Sequence, residues 1–244
     1  MTFNPAYLEE LEQHFEIETA LRDAIGTTQL HLALQPQHTP DGTMHGVEVL
    51  CRWQHPERGR IAPGVFIPIA ERSDLIVHLG RWIVAEALQT AAQLPEHLTV
   101  AINVSPRHFR EADFVPYMLE QIERSGVNPA RLVLEVTENL LVDDLQGITD
   151  KMNQLKVIGV QLSIDDFGTG YSSLSYLSQL PIDELKIDQG FVQGIGCDSR
   201  SKIVETIVSM GQHLGLRIVA EGIETKEQLD FLANLSDHIV CQGY

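Results

Sequence analysis

Residues 132–167 read LVLEVTENLLVDDLQGITDKMNQLKVIGVQLSIDDF, and the rhythm of this stretch decides the fold. A short β-rich run (132–137) gives way to an amphipathic stretch (146–158) and then to a second β-rich run (161–167). The runs are built on Val, Ile and Leu, and the stretch between them has helical spacing. That is one strand–helix–strand unit of a parallel sheet or barrel.

The unit recurs in both directions. Strands are predicted at 30–35, 46–53, 98–105, 132–137, 161–167, 184–188, 217–221 and 238–242, with helices at 79–93, 115–125, 146–158, 202–214 and 226–235. Eight strands with interleaved helices predict an α/β fold, a (β/α)8 barrel of about 250 residues. An open doubly wound sheet would announce a Gly-rich phosphate turn after its first strand, and no such turn is present. Residues 1–28 carry apolar positions at helical spacing, among them Leu8, Leu11, Phe15 and Leu21, and read as a lead-in helix to a barrel spanning 29–244. The sequence ends at Cys241-Gln242-Gly243-Tyr244, just after the eighth strand, so the expected barrel lacks a closing helix.

Composition narrows the function. A chain of 244 residues with 43% hydrophobic content suits one large domain and excludes intrinsic disorder. No apolar run approaches the ~20 residues of a membrane span, so no direct membrane insertion is expected. Three widely spaced cysteines (Cys51, Cys197, Cys241) form no disulfide framework and no CxxC pair, which points to a cytoplasmic setting. A net charge of −17 argues against binding polymeric nucleic acid through a basic surface. A phosphate substrate remains compatible, because carboxylates can hold divalent cations that bind phosphate in their place. The ten histidines show no metal-ligand spacing, and neither a GxSxG elbow nor a P-loop occurs.

In a (β/α)8 barrel, chemistry sits at the C-terminal ends of the strands. Those ends carry Glu48, Asn103, Glu135, the pair Asp165-Asp166, Lys186 with Asp188, Glu221 and Gln242. Each has a plainer reading alone: Glu48 as an ion pair with Arg52, Asp-Asp-Phe-Gly as a turn, Lys186 as a solvated edge residue, Gln242 as polar surface. Together they say more, since carboxylates from several strands at one barrel mouth repel one another strongly without a cation. The oxygen-only set of carboxylates and one amide favours Mg²⁺ or Mn²⁺ over Zn²⁺. Neighbouring strand residues face opposite ways, so Asp165 and Asp166 can share a site only where the strand bends into Phe167-Gly168-Thr169-Gly170.

These residues lie in recognisable phrases. They are Gly46-Val47-Glu48-Val49-Leu50-Cys51-Arg52-Trp53, Ile102-Asn103-Val104-Ser105-Pro106, Leu134-Glu135-Val136-Thr137-Glu138, Ile164-Asp165-Asp166-Phe167-Gly168-Thr169-Gly170-Tyr171-Ser172-Ser173-Leu174, Leu185-Lys186-Ile187-Asp188, Val219-Ala220-Glu221-Gly222-Ile223-Glu224-Thr225 and Gln242-Gly243-Tyr244. From about Leu30 to its last residue the chain resembles the EAL-domain family of bacterial cyclic di-GMP phosphodiesterases.

The resemblance implies a modified, TIM-like barrel whose first strand runs antiparallel to the rest. It implies hydrolysis of cyclic di-GMP to linear 5′-pGpG with two Mg²⁺ or Mn²⁺ ions, Ca²⁺ being inhibitory. Carried over, Glu48, Asn103, Glu135 and Asp165 match the ligands of one metal, and Asp165 and Asp166 those of the second. Glu221 matches a nearby ligand or proton acceptor, and Lys186 the lysine that holds the attacking water. Glu138 and Glu224 match residues bracing the loop 166–173, with its Gly168 and Gly170, which in the family links homodimerisation to activity. Gln35, Leu50, Arg52, Asp188, Gln242 and Tyr244 match the substrate side. The signature Glu-Ala-Leu is here Glu48-Val49-Leu50, a change on the face away from Glu48. The lead-in helix resembles the family's connector from an upstream sensory or diguanylate cyclase-like domain. The second class of function the family offers is a receptor that binds cyclic di-GMP without hydrolysing it. Such receptors usually lack several of these ligands, all of which are present here.

Overall fold

The computed structural model describes residues 5–142, 144–168, 177 and 179–243. The chain runs α1 (Pro5–Ala24), β1 (Leu30–His38), β2 (Met44–His55), β3 (Gly59–Ile61), α2 (Pro63–Glu71), α3 (Leu75–Gln93), β4 (Thr99–Asn103), α4 (Pro106–Arg110) and α5 (Phe114–Ser125). It continues through β5 (Leu132–Thr137), α6 (Leu145–Val157), β6 (Gln161–Phe167), β7 (Glu184–Ile187), α7 (Gln189–Val192), α8 (Asp198–His213), β8 (Arg217–Ile223), α9 (Lys226–Leu235) and β9 (Val240–Gly243). Every predicted strand and helix is found, most within a few residues of its expected bounds.

The strands follow the order β1-β9-β8-β7-β6-β5-β4-β2-β3, and β1 also pairs with β2, so eight of them close into a barrel. From β2 through β4 to β9 the barrel neighbours are parallel, whereas β1 is antiparallel to both β2 and β9. The expectation drawn from the resemblance therefore holds. Sequence periodicity could not have shown this orientation, because an antiparallel strand alternates its side chains as a parallel one does. The ninth strand, β3, is a three-residue hairpin return along β2 with Trp53 opposite Ile61. It is too short to leave a periodic signal.

Two apolar cores hold the frame. The larger lies between the sheet and the outer helices, where Ile102, Leu134, Ile164, Leu185 and Ala220 of five successive barrel strands meet side chains such as Phe109, Met118 and Met152. The smaller gathers Trp53, Phe66 and Leu79 with Leu21 and Ala24 of α1. The lead-in helix is thus packed onto the outside of the barrel beside α2. Trp53 and Phe66 meet edge to face at 5.6 Å, which fixes α2 over the end of β2.

One buried group works against this frame. His108 on α4 is 1% exposed, its ring lies edge-on to Phe114, and neither ring nitrogen has a partner among the described residues. Burial first, and Arg81 second, push its pKa down to about 4. A histidine near 6.5 when unfolded and near 4 when folded takes up its proton in the unfolded state first. Stability therefore falls as pH drops from about 6.5 toward 4, by up to about 3 kcal/mol. His108→Leu should flatten that slope in urea unfolding measured across pH 4 to 7. An unchanged slope would assign acid lability to other groups.

Candidate active site

The barrel mouth collects its polar groups through strand register. Asn103 ends β4 directly beside Glu135 of β5, and Thr137 lies beside Asp165 of β6. Glu48 of β2 faces Gln35 of β1, so these two share the interior face. Lys186 of β7 is fully buried in the middle of them, with 0% exposure. Its Nζ lies 2.7 Å from Glu221, 2.9 Å from Glu135, 3.3 Å from Asp165 and 3.5 Å from Glu48. Lys186 is no solvated edge residue, and Glu48 is not the partner of Arg52, whose guanidinium donates to the Cys51 carbonyl.

Asp165 and Asp166 reach one side of the strand end by a local distortion. The pairing of β6 with β7 slips between Ile164 and Phe167, and Asp166 adopts a left-handed conformation with φ of 55°. Aspartate tolerates that region better than most residues, and the irregularity re-aims its side chain. Carboxylate oxygens of Asp165, Asp166 and Glu221 consequently lie within 4.8 Å of one another. Among the described residues this is the one group of acidic, histidine or cysteine side chains arranged to hold a metal ion.

The electrostatics follow from burial and crowding. Burial raises Glu135 well above the usual carboxylate range, and Glu48 and Asp165 add to this while Lys186 opposes it. Burial would also raise Glu48, but the Lys186 ammonium and the donors of Gln242 and Asn103 outweigh it and hold Glu48 low. Burial and Asp165 together lift Glu221 to about 7, against the pull of Lys186. Asp166 is raised by burial and by the charges of Asp165 and Asp188. Burial would lower Lys186, yet the four carboxylates around it more than reverse that.

The donor set fits divalent cations. Five carboxyl groups face one ammonium, so fully ionised they would leave four negative charges, the charge that two divalent ions carry. Glu135 Oε1 is buried without a partner among the described residues, a costly state unless something binds it. All the groups are hard oxygen donors.

The other expected residues are placed as follows. Leu50 and Arg52 line a cleft of about 260 Å³ that opens beside Asn103 and Glu135. Gln35 is half-buried on β1. Asp188 caps α7, accepting from the Gly190 amide, and adds its charge next to Asp166. Glu138 Oε1 accepts from the amide of Gly168, whose φ is 94°, so it holds the described start of the loop. Glu224 is exposed and accepts from Gln193 at 3.4 Å rather than from the described part of that loop. Gly170 and Tyr244 lie outside the described residues. Gln242 is buried rather than open to a ligand: it donates to Glu48 Oε2 and accepts from Gln37 Nε2 at 2.9 Å. Gln37 was missed in the sequence reading. Its only signal is a polar side chain two residues after Gln35, on the same face of the strand.

Comparison with known proteins bears on this site. The model of the EAL domain family matches residues 18–244. A relative from Pseudomonas aeruginosa, the bifunctional diguanylate cyclase/cyclic di-GMP phosphodiesterase MucR, is 42% identical over 92% of the chain and 34% of its own length. The oxygen sensor protein DosP of Escherichia coli is 37% identical over 99% of the chain and 31% of its own length. The chain spans about a third of the length of these relatives. A solved structure described as the PaMucR phosphodiesterase in complex with c-di-GMP superposes with a TM-score of 0.88, at 42% identity over 93% of this chain and 94% of that one.

The lysine at the centre makes a direct prediction. Lys186→Met leaves four carboxylates facing one another without their cation. In chelator-treated protein it should cost about 3 kcal/mol or more in urea unfolding. Adding Glu135→Gln to that variant should recover part of the loss, because one buried charge goes. Equal stability of wild type and Lys186→Met would mean the carboxylates are neutral in the folded protein.

Proposed function

The chain belongs to the EAL domain family, and from that premise we propose that it hydrolyses cyclic di-GMP to linear 5′-pGpG. The reading rests on one observation above all. Four strands bring carboxylates to a single buried lysine at the barrel mouth, while Asp165, Asp166 and Glu221 leave oxygens close enough to share an ion. A receptor that only bound the dinucleotide would have no use for this costly concentration of charge.

Glu48, Asn103, Glu135 and Asp165 would hold one divalent cation, Mg²⁺ or Mn²⁺, and Asp165 with Asp166 a second, Glu221 standing beside both. When bound, such ions supply positive charge at the phosphoryl oxygens and make water acidic enough to attack at neutral pH. Lys186 orients the attacking water and adds fixed positive charge where negative charge develops on phosphorus. Glu221, 2.7 Å from Lys186 and beside Asp165 and Asp166, is placed to take a proton from that water. Gln242 and Gln37 keep Glu48 in place from below. Arg52, Leu50 and Gln35 line the approach of the dinucleotide, and family likeness assigns Tyr244 to the substrate as well.

The domain works in our reading as a homodimer in the cytoplasm, residues 1–28 joining the barrel to an upstream sensory or diguanylate cyclase-like domain. Glu138 is the brace that couples the dimer to the metal site, since it grips Gly168 two residues from Asp166.

Two measurements test this. Incubation with cyclic di-GMP and Mg²⁺ or Mn²⁺, followed by chromatography, should yield 5′-pGpG. Turnover should fall roughly a hundredfold or more in excess chelator, and Ca²⁺ should not restore it. Binding without product would make the domain a receptor. Glu138→Ala removes none of the proposed ligands, yet it should lower kcat about tenfold and abolish any rise of specific activity with protein concentration. Wild-type rates for this variant across a dilution series would make 166–173 an ordinary turn.

A further inference from the structure

The cleft beside the metal site contains a charged group that the mechanism does not use. Its walls are apolar, formed by Leu50 on β2, Ile67 on α2 and Ile76 and Ile83 on α3, and Asn103 and Glu135 stand on its barrel side. Glu71, the last residue of α2, also lines this cleft. It is exposed to solvent and has no hydrogen-bond or ion-pair partner among the described residues. The apolar surroundings raise its carboxyl above the usual range, and among the described residues no lysine or arginine pairs with it. Arg52, in the same cleft, is turned back to the Cys51 carbonyl. An exposed carboxylate at the edge of an apolar cleft, with no partner among the described residues, is free to accept hydrogen bonds from a ligand that brings donors.

We propose that Glu71 is a specificity-determining residue that reads one guanine base of the substrate. The proposal rests on the reading of the site as one for cyclic di-GMP. The apolar walls suit the faces of a purine, and the cleft's opening at Asn103 and Glu135 places a base there when its phosphate is at the metal site. A carboxylate only accepts hydrogen bonds. Guanine offers it two adjacent donors, N1–H and the N2 amino group, in the side-by-side geometry that two carboxylate oxygens take up. Adenine presents an unprotonated N1 on the same edge and would face Glu71 lone pair to lone pair. Helix α2 is packed into the smaller core through Phe66 and Ala70, Phe66 meeting Trp53 edge to face, so the carboxylate is carried on a helix instead of a loop.

The test compares wild type, Glu71→Gln and Glu71→Ala on cyclic di-GMP, cyclic di-AMP and cyclic di-IMP, the last of which lacks the N2 amino group. Dissociation constants are measured by calorimetry in chelator, and kcat and KM are measured with Mg²⁺. A bidentate base contact is worth roughly tenfold or more in discrimination. Both variants should therefore lower the preference for cyclic di-GMP over cyclic di-AMP by about that factor. The loss should appear in Kd and KM, with kcat for cyclic di-GMP changed less than about threefold. Cyclic di-IMP should bind wild type more weakly than cyclic di-GMP, and this gap should close in the variants. If both variants keep the wild-type preference while cyclic di-GMP is still hydrolysed, the role of Glu71 is overturned and the phosphodiesterase reading stands. If wild type shows the preference in binding but no turnover, and the variants lose it, Glu71 stands and the catalytic reading falls.

Discussion

The lysine ammonium at the barrel axis is the interaction on which the remainder of the site depends. Glu48, Glu135, Asp165 and Glu221 come from β2, β5, β6 and β8, and each is within ion-pair distance of Lys186 Nζ. Without a cation between them, carboxylates this close could not all stay ionised at neutral pH. One ammonium is not enough for five acidic groups. The remaining negative charge suits the divalent ions of the proposed reaction, which would let so acidic a protein take the proposed anionic substrate.

The barrel supplies this arrangement by layering. Along β7, Glu184 and Lys186 both point inward, Glu184 one layer below the mouth. There Glu184 is buried and paired with Arg217 at 3.1 Å, so the lower layer is neutralised by the protein itself. The upper layer is not. This difference between two layers of one barrel separates a structural ion pair from a site that draws in a ligand. The antiparallel β1 contributes as well. Its pairing with β2 and β9 brings Gln37 and Gln242 together beneath Glu48, which fixes a carboxylate that would otherwise be free to turn away.

Strain is stored where the chemistry needs it. Asp166 is one of two non-glycine residues with positive φ among the described residues, and it occupies the irregular end of β6. The Gly168 amide is tied to Glu138 on the next element round the barrel. The geometry of the second proposed metal position therefore depends on a backbone state that a neighbouring carboxylate holds in place.

Much of this was legible in the amino-acid sequence. Alternation of Val/Ile/Leu runs with amphipathic stretches determined the barrel and most element positions, since side-chain period is a local property of the chain. The residue types at the strand ends determined an oxygen-only donor set, and with it a preference for hard cations, because ligand hardness belongs to the side chain wherever it is placed. Partners were another matter. That Glu48 meets Lys186 and not Arg52, that Gln242 is tied to Gln37, and that Asp165 and Asp166 face one way are facts of tertiary structure. The two contacts concerned join residues 138 and 205 positions apart. Local periodicity says which face a side chain takes, but only closure of the barrel, its strand register and one left-handed aspartate decide which side chains meet across it.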